Sequence, residues 1–415
     1  MLARIVSTHF DVPGMSTLPV AKEHGAYERI AGTIKRDPME LHGIICDSGL
    51  RGKGGGGAPA AGKWELMYHY DAPRYVIVNA DESEPGTFKD RQIISKDPHL
   101  LIEGIILTCY TVGAHDAYIY IRGEYREFAD VLQTAIDEAY ADGWLGSDTR
   151  YGYGVELTLH RGAGAYICGE KSALVESLEG NRGHPRLKPH NPSPEFYFGQ
   201  AALVNNVETI ASVPYILYNG AEAYRSYGTE QSPGTLLFAL SGHVERPGVY
   251  EAAFGTPMLE YLETAGGGVK NGKKLKAIIP GGASTPVLTA EEAAQATLDY
   301  ESLKAMGSEL GTGGMIVMDE TTDMVGALQN LLRFYHHESC GQCTPCREGT
   351  GWTERLLDRF IAKEATEEDL ETLRSVSRTM NGKTICVFAP AASGVIDGFL
   401  KRFEDEFRAC IKENA

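Results

Sequence analysis

The stretch "ESCGQCTPCREG" sets Cys340, Cys343 and Cys346 at successive spacings of three, and Cys386 follows in "KTICVFAP". A fold that uses all four on one metal centre must bring these two segments together. Zinc sites usually combine two C-x-x-C units, or one such unit with histidines. Three closely spaced cysteines with a remote fourth form an iron–sulfur pattern instead. Thiolates suit iron; a compact loop reaches three corners of a 4Fe–4S cube and a distant segment supplies the last. A zinc knot using His336 or His337 is the alternative reading. Pro345 fits a non-helical ligand loop. Cys46, Cys109, Cys168 and Cys410 read as inert free thiols. The N-terminus "MLARIVSTHFDVPG" has no long apolar core with a small-residue cleavage site, so no secretory leader is expected. Clustered cysteines are then metal ligands rather than disulfides.

The second constraint is "RGKGGGGAPAAGKW", residues 51–64, which matches two nucleotide loops at once. Gly52, Gly54 and Gly57 spell G-x-G-x-x-G; Gly57 to Lys63 spell G-x-x-x-x-G-K. The triphosphatase reading needs Ser or Thr after the lysine to hold magnesium, and Trp64 stands there. The dinucleotide reading needs a strand before the loop, and "LHGIICDSGL" is not a convincing one. What survives is physical. Consecutive glycines let backbone N–H groups approach a phosphate or flat ring, with Lys63 as counter-charge. A flexible linker is the bland alternative.

Hydrophobic residues make up 43% of the 415 and charged residues 23%, an ordinary globular composition long enough for two to four domains. The net charge of -17 argues against sequence-independent nucleic-acid binding. No apolar run is long enough to span a membrane. Helices are expected over "AYERIAGTIKRD" and "PMELHGIICDSG", broken at Asp37-Pro38. From about 74 to 230, strand signals ("RYVIVNA", "AYIYIRGEY", "VELTLHR") alternate with helical periodicity, the pattern of a parallel α/β sheet. Residues 231–320 read as a small α+β unit. From about 321 the chain reads as four helices.

Three further stretches weaken the linker reading. "VNADESEPGTFKDR" gathers Asp81, Glu82 and Glu84 directly after a strand, where open α/β sheets bind ligands. "HRGAGAYICGEKSAL" is a second glycine-rich turn before a helix, a natural anion site. "LVNNVET" offers Asn205 and Asn206. Together they form one polar site for a large planar, phosphate-bearing cofactor.

These blocks, with "SLEGNRGHPRLKP" and the cysteine motifs, resemble over nearly the whole chain the flavin-containing, NADH-binding subunits of bacterial respiratory complex I. The resemblance implies an α/β protein. A helical segment over 1–60 leads into the glycine loop, and a Rossmann-like flavin domain covers 61–230. A ubiquitin-like β-grasp domain follows over 231–320, and a helical bundle with a 4Fe–4S cluster over 321–415. It implies FMN held by Gly52, Gly54, Gly55, Gly57 and Lys63, by Asn79, Asp81 and Glu82, by Tyr166, Gly169 and Glu170, and by Asn205 and Asn206. Glu84 and Lys188 would border NADH, with Glu84 and Glu170 tuning charge at the reacting ring. Cys340, Cys343, Cys346 and Cys386 fall on the cluster-ligand positions. Implied partners are a thioredoxin-like 2Fe–2S subunit and a large iron–sulfur subunit, in a peripheral arm at the cytoplasmic face of the cell membrane. Neither nucleic-acid binding nor a membrane span is expected.

The chain departs from that family at positions that stack on the adenine of NADH. Ala58, Leu66 and Asn191 stand where members carry Phe, and Lys171 stands where they carry Glu. Each lost stacking contact is worth about 0.5–1.5 kcal/mol beyond buried area. Lysine for glutamate turns repulsion of a phosphate into attraction. The readings left open are NADH with local substitutes such as Tyr68 or Phe196, NADPH with Lys171 near the 2′-phosphate, or a protein electron donor.

Overall fold

A computed structural model describes residues 4–189 and 192–412. Its first sheet is built from β1 (Tyr75–Ala80), β2 (Asp116–Ile121), β3 (Glu156–Arg161), β4 (Glu195–Tyr197) and β5 (Gln200–Asn206), in the order β3-β2-β1-β5-β4. The first four positions are parallel and β4 is an antiparallel edge. Alternation along β1 explains why both faces are covered. Val76, Val78 and Ala80 enter a core shared with the N-terminal helices and the helix Pro98–Val112. Ile77 turns to the other face, which packs on the helix Lys171–Leu178 and the C-terminal helices. The Pro98–Val112 helix is buried almost throughout and lies close against the helix Val207–Ala211. A Cβ on Gly104 would come within 2.3 Å of the Ile210 carbonyl oxygen, so only glycine permits that approach.

The second sheet comprises β6 (Thr235–Gly242), β7 (Gly248–Ala253), β8 (Leu275–Ile279), β9 (Leu288–Thr289) and β10 (Gly314–Asp319), in the order β7-β6-β10-β8-β9. Only the β6–β10 pairing is parallel. Four helices then close the chain: Met324–Glu338, Thr344–Ile361, Glu367–Met380 and Phe388–Arg408. The third starts where its sequence signals it: Thr366 and Asp369 form a reciprocal capping box.

The structure corrects two local expectations. The helical stretch expected over "AYERIAGTIKRD" shrinks to the single turn Ile30–Thr33, whereas Pro38–Ser48 forms in full. Asp37 caps Pro38–Ser48 by accepting the Met39 N–H at 2.7 Å, and Gly49 ends it in the left-handed conformation. Pro345 does not mark a loop. It sits in the first turn of Thr344–Ile361, where a missing N–H costs nothing, so Cys343 is the cap and Cys346 is helical.

Candidate functional site

Strand order reverses at β1: β2 and β3 lie on one side, β5 and β4 on the other. Open α/β sheets bind ligands at such a switch point, beyond the carboxyl ends of the strands. There Asn79 of β1 faces Asn206 of β5 in register. A cavity of about 610 Å³ opens at this edge, within the size range of cofactor sites.

The glycine loop forms one end of the cavity. It runs between the helices Pro38–Ser48 and Ala60–Met67, so no strand precedes it and the dinucleotide fingerprint is excluded. Its shape is fixed from the second sheet's side. Tyr300 donates to the Gly52 carbonyl at 3.2 Å, Arg51 lies over the Tyr300 ring at 3.9 Å, and Arg51 pairs with Glu301 at 2.5 Å. Gly54, Gly55 and Gly56 line the cavity, and among the described residues their N–H groups find no acceptor. A Cβ on Gly54 would meet the Asn206 Cβ at 3.0 Å, so this wall is a backbone cradle.

Below the cradle lies a buried ionic network. Lys53 pairs with Glu208 at 3.3 Å and donates to Ser212 at 2.8 Å. Lys89 lies 2.8 Å from both Asp90 and Glu208. Glu208 Oε2 receives no well-directed hydrogen bond, so its satisfaction is ionic. Burial pulls the Lys89 ammonium down, but Asp90 and Glu208 outweigh it and hold the group charged. Free N–H groups and two fixed cations make this the anion-binding end.

Carboxylates occupy the middle. Burial raises Asp81 to about 7 against the hydrogen bond from Ser83. Burial, then the neighbouring Asp90, raises Glu82 to about 7, although Glu82 accepts from the Asp90 and Arg91 N–H groups and from Tyr125. Glu84 is raised by burial and clamped, accepting from the Tyr166 hydroxyl and the Ser284 N–H, both at 2.6 Å. Glu170 lines the cavity as a helix cap, its Oε2 accepting from Ser172 and Ala173 N–H groups at 3.0 Å.

The far end is apolar and leads to the cysteines. Cys340, Cys343, Cys346 and Cys386 all line one small pocket. Among the described residues, no three His, Cys, Asp or Glu side chains converge closely enough for a single metal ion. Four thiols around one shared void suit a multi-iron cluster. His336 points elsewhere, bonded to Glu354 at 2.6 Å. Two helices begin at this pocket, at Thr344 and Phe388, and their positive ends favour thiolate and cluster charge. Sulfur is also engaged directly: the Ile385 N–H approaches Cys343 Sγ at 3.4 Å, and the Ser339 hydroxyl lies 3.4 Å from Cys346 Sγ. Ile167, Cys386 and Phe388 line both this pocket and the larger cavity, so one layer of side chains separates them.

Comparison with known proteins agrees with this geometry. The description "Nuo51 FMN-binding domain" matches residues 45–215, "NADH-ubiquinone oxidoreductase-F iron-sulfur binding region" matches 326–410, and "SLBB domain" matches 236–317. The F subunit of the NADH-quinone oxidoreductase of Rickettsia bellii is 49% identical over 398 residues, covering 95% of each chain. The chain belongs to the family of NADH-quinone oxidoreductase F subunits. The F subunit of Mycobacterium tuberculosis is 44% identical over 420 residues, covering 99% of this chain and 94% of that one. An air-oxidised NAD+-reducing nickel–iron hydrogenase shares the fold at TM-score 0.85 and 34% identity, over 100% of this chain and 68% of its own. In the H2-reduced state the match has TM-score 0.84 and 35% identity and covers 92% of this chain; the chain spans 65% of that hydrogenase chain's length.

Within this member of the F-subunit family, the candidates Gly54, Gly55, Asn79, Asp81, Glu82, Glu84, Tyr166, Gly169, Glu170 and Asn206 line the cavity. Six other candidates lie outside its lining, for identifiable reasons. Gly52 closes the loop through its N–H to the Ala58 carbonyl, and Gly57 packs on Tyr300, whose ring a Cβ would meet at 2.3 Å. Lys63 projects from its helix beside Lys171 and Glu195; burial, then the Lys171 charge, lowers its pKa. Lys171 is paired with Glu195 at 2.7 Å. Lys188 is exposed, and Asn205 is buried with Nδ2 unpartnered.

Of the departures, Ala58 is exposed and Leu66 half-buried, and Asn191 lies outside the described residues. The Tyr68 hydroxyl donates to the Thr111 carbonyl at 2.7 Å, and Tyr68 is not among the residues lining the cavity. Phe196 follows Glu195 in β4, its ring edge-on to Tyr70. Sequence reasoning missed Lys53 and Lys89 and the second sheet's loops, of which Ser284, Thr285, Gly311 and Thr312 line the cavity.

Proposed function

We propose that this chain is the electron-input subunit of a complex I-type NADH:quinone oxidoreductase, an NADH dehydrogenase flavoprotein. It takes hydride from NADH onto FMN and passes single electrons through a 4Fe–4S cluster to partner iron–sulfur subunits. The observation that carries this reading is the wall of Ile167, Cys386 and Phe388 shared by the cofactor cavity and the cysteine pocket. Bound FMN supplies the conversion between a two-electron donor and a one-electron acceptor.

The chain's own groups divide the work. The Gly54–Gly56 N–H groups, with Lys53 and Lys89 behind them, hold the phosphate. Asn79 and Asn206 fix the polar edge of the ring. Asp81 and Glu82, raised to about 7, are substantially protonated at neutral pH and so repel an anionic cofactor less than two full charges would. Glu84 is locked between the first sheet and the Ser284 loop and borders the nicotinamide, and the exposed Lys188 is the other group assigned to the nucleotide. Glu170 holds the N-terminus of the helix Lys171–Leu178 toward the cavity. Cys340, Cys343, Cys346 and Cys386 ligate the cluster.

The Lys171–Glu195 pair favours NADH over NADPH, because the charge that would attract a 2′-phosphate already has a partner. The partners are a thioredoxin-like 2Fe–2S subunit and a large iron–sulfur subunit, in a peripheral arm at the cytoplasmic face of the membrane. Support for this is the naming of the relatives as one subunit of a larger oxidoreductase. Among the described residues, no helix is long and apolar enough to cross a membrane. Anaerobic titration tests the donor: NADH bleaches the visible flavin bands and NADPH does so much less efficiently. Failure of both to bleach the flavin refutes hydride transfer from a nicotinamide.

A further inference from the structure

A second cavity, of about 440 Å³, lies on the seam between the N-terminal segment, the helix Asp90–Lys96 and β7. It shares no lining residue with the cofactor cavity. The Asp90–Lys96 helix is the partition: Asp90 faces the cofactor cavity, while Arg91, Gln92 and Lys96 face the seam.

In a chain of net charge -17, this cavity collects cations and rings. Arg91 lies over Phe88 at 5.0 Å, and Lys96 over Phe10 at 5.4 Å. Among the described residues neither cation is paired with a carboxylate, and both are only partly exposed. The two acidic residues in the lining are already engaged. Asp11 pairs with Arg4 at 2.9 Å. Glu251 accepts from the Ile5, Val6 and Ser7 N–H groups and from the Ser7 and Thr235 hydroxyls, at 2.6–3.1 Å. Glu251 thereby fixes the N-terminal segment as a wall and leaves Arg91 and Lys96 as the groups open to a ligand. Tyr250 supplies a third ring.

We propose that this seam cavity binds a free nucleotide, distinct from the one oxidised at the cofactor cavity. Arg91 and Lys96 take the phosphates, Arg91 through its planar fork, and Phe88, Phe10 and Tyr250 receive the base. The volume fits a ligand of that size. The assignment does not depend on the donor oxidised at the cofactor cavity.

The test is isothermal titration of ADP into the full chain, loaded with FMN and cluster and held in saturating NAD+ so that the nicotinamide site is filled. ADP binds one further site. Arg91→Gln with Lys96→Gln weakens that binding at least about tenfold, the loss expected for charge-assisted hydrogen bonds, and leaves NADH-driven flavin bleaching unchanged. Lys96→Gln alone gives a smaller loss in the same direction, and Arg91→Lys retains part of the affinity. On the unaltered chain, pyrophosphate binds at least about tenfold more weakly than ADP because it lacks the ring. Absence of ADP binding, or ADP binding unaffected by the substitutions, overturns the site. Equal affinity for pyrophosphate and ADP overturns its assignment to a nucleotide.

Discussion

Glu208→Gln tests how far the cofactor cavity depends on the ions beneath it. Glu208 is fully buried and is the only carboxylate paired with Lys53 among the described residues, at 3.3 Å; it also lies 2.8 Å from Lys89. At an effective dielectric of about 20 these attractions are roughly 5 and 6 kcal/mol gross, before desolvation is subtracted. Glutamine keeps an acceptor for the Leu237 N–H, which Glu208 holds at 2.9 Å, but strands the Lys53 ammonium without a counter-charge. Removing one partner of a buried pair typically costs about 3–5 kcal/mol. The expected result is a loss of that size in urea unfolding followed through the first sheet, with FMN lost from the purified chain. Replacing Lys53 and Glu208 together by Met and Leu should recover most of the stability and only part of the flavin, because the cradle then keeps one of its two cations, Lys89. A loss below about 1 kcal/mol in Glu208→Gln, with flavin retained, would show that Asp90 and buried water satisfy both lysines. The reasoning from stranded charge would then fail.

Three further outcomes follow from the geometry. Cys346→Ser removes the one proposed cluster ligand held within a helix, and iron and acid-labile sulfide should fall to background while FMN remains; full iron content would remove Cys346 from the proposed set. The raised carboxyls of Asp81 and Glu82 favour folding when protonated. Their contribution is complete below the ordinary carboxyl range and is lost as pH rises through about 7. Flavin-free chain should therefore lose stability from about pH 4 to 7, and Asp81→Asn should flatten that slope in unfolding curves taken at several pH values. Glu195→Gln frees Lys171, and the NADPH KM should fall by up to about fivefold relative to that for NADH, the ceiling for a partly exposed pair; an unchanged ratio would place Lys171 away from the ribose.

Periodicity and spacing made most of the architecture legible. Three strands of the first sheet could be read because β1 and β2 are short runs rich in apolar residues and β3 alternates, while β4 and β5 gave no strand reading. The cysteine spacing carried its own geometry, and Trp64 and the helix ahead of the loop removed both nucleotide motifs. What stayed hidden depends on direction rather than composition. Lys53 and Lys63 are equally plausible beside a glycine loop, yet Lys53 turns under the cradle to Glu208 while Lys63 sits within the helix Ala60–Met67, near Lys171 and Glu195. Glu170 reads from the sequence as a site acid, and the structure adds a second duty that the sequence did not announce: it lines the cavity and also caps the helix through the Ser172 and Ala173 N–H groups. The Ser284 and Thr312 loops come from the second sheet, far along the chain, and no local pattern announces a side chain that arrives by tertiary packing.

The wall of Ile167, Cys386 and Phe388 also limits how such a protein can be re-engineered. A flavin module and a cluster module joined by a linker could be exchanged separately; these two cannot. A larger side chain at Ile167 intrudes on two cavities at once, and a smaller one opens both. Any variant that adapts the cavity to another cofactor alters the packing around the cysteines in the same step, so the two sites have to be redesigned as one object.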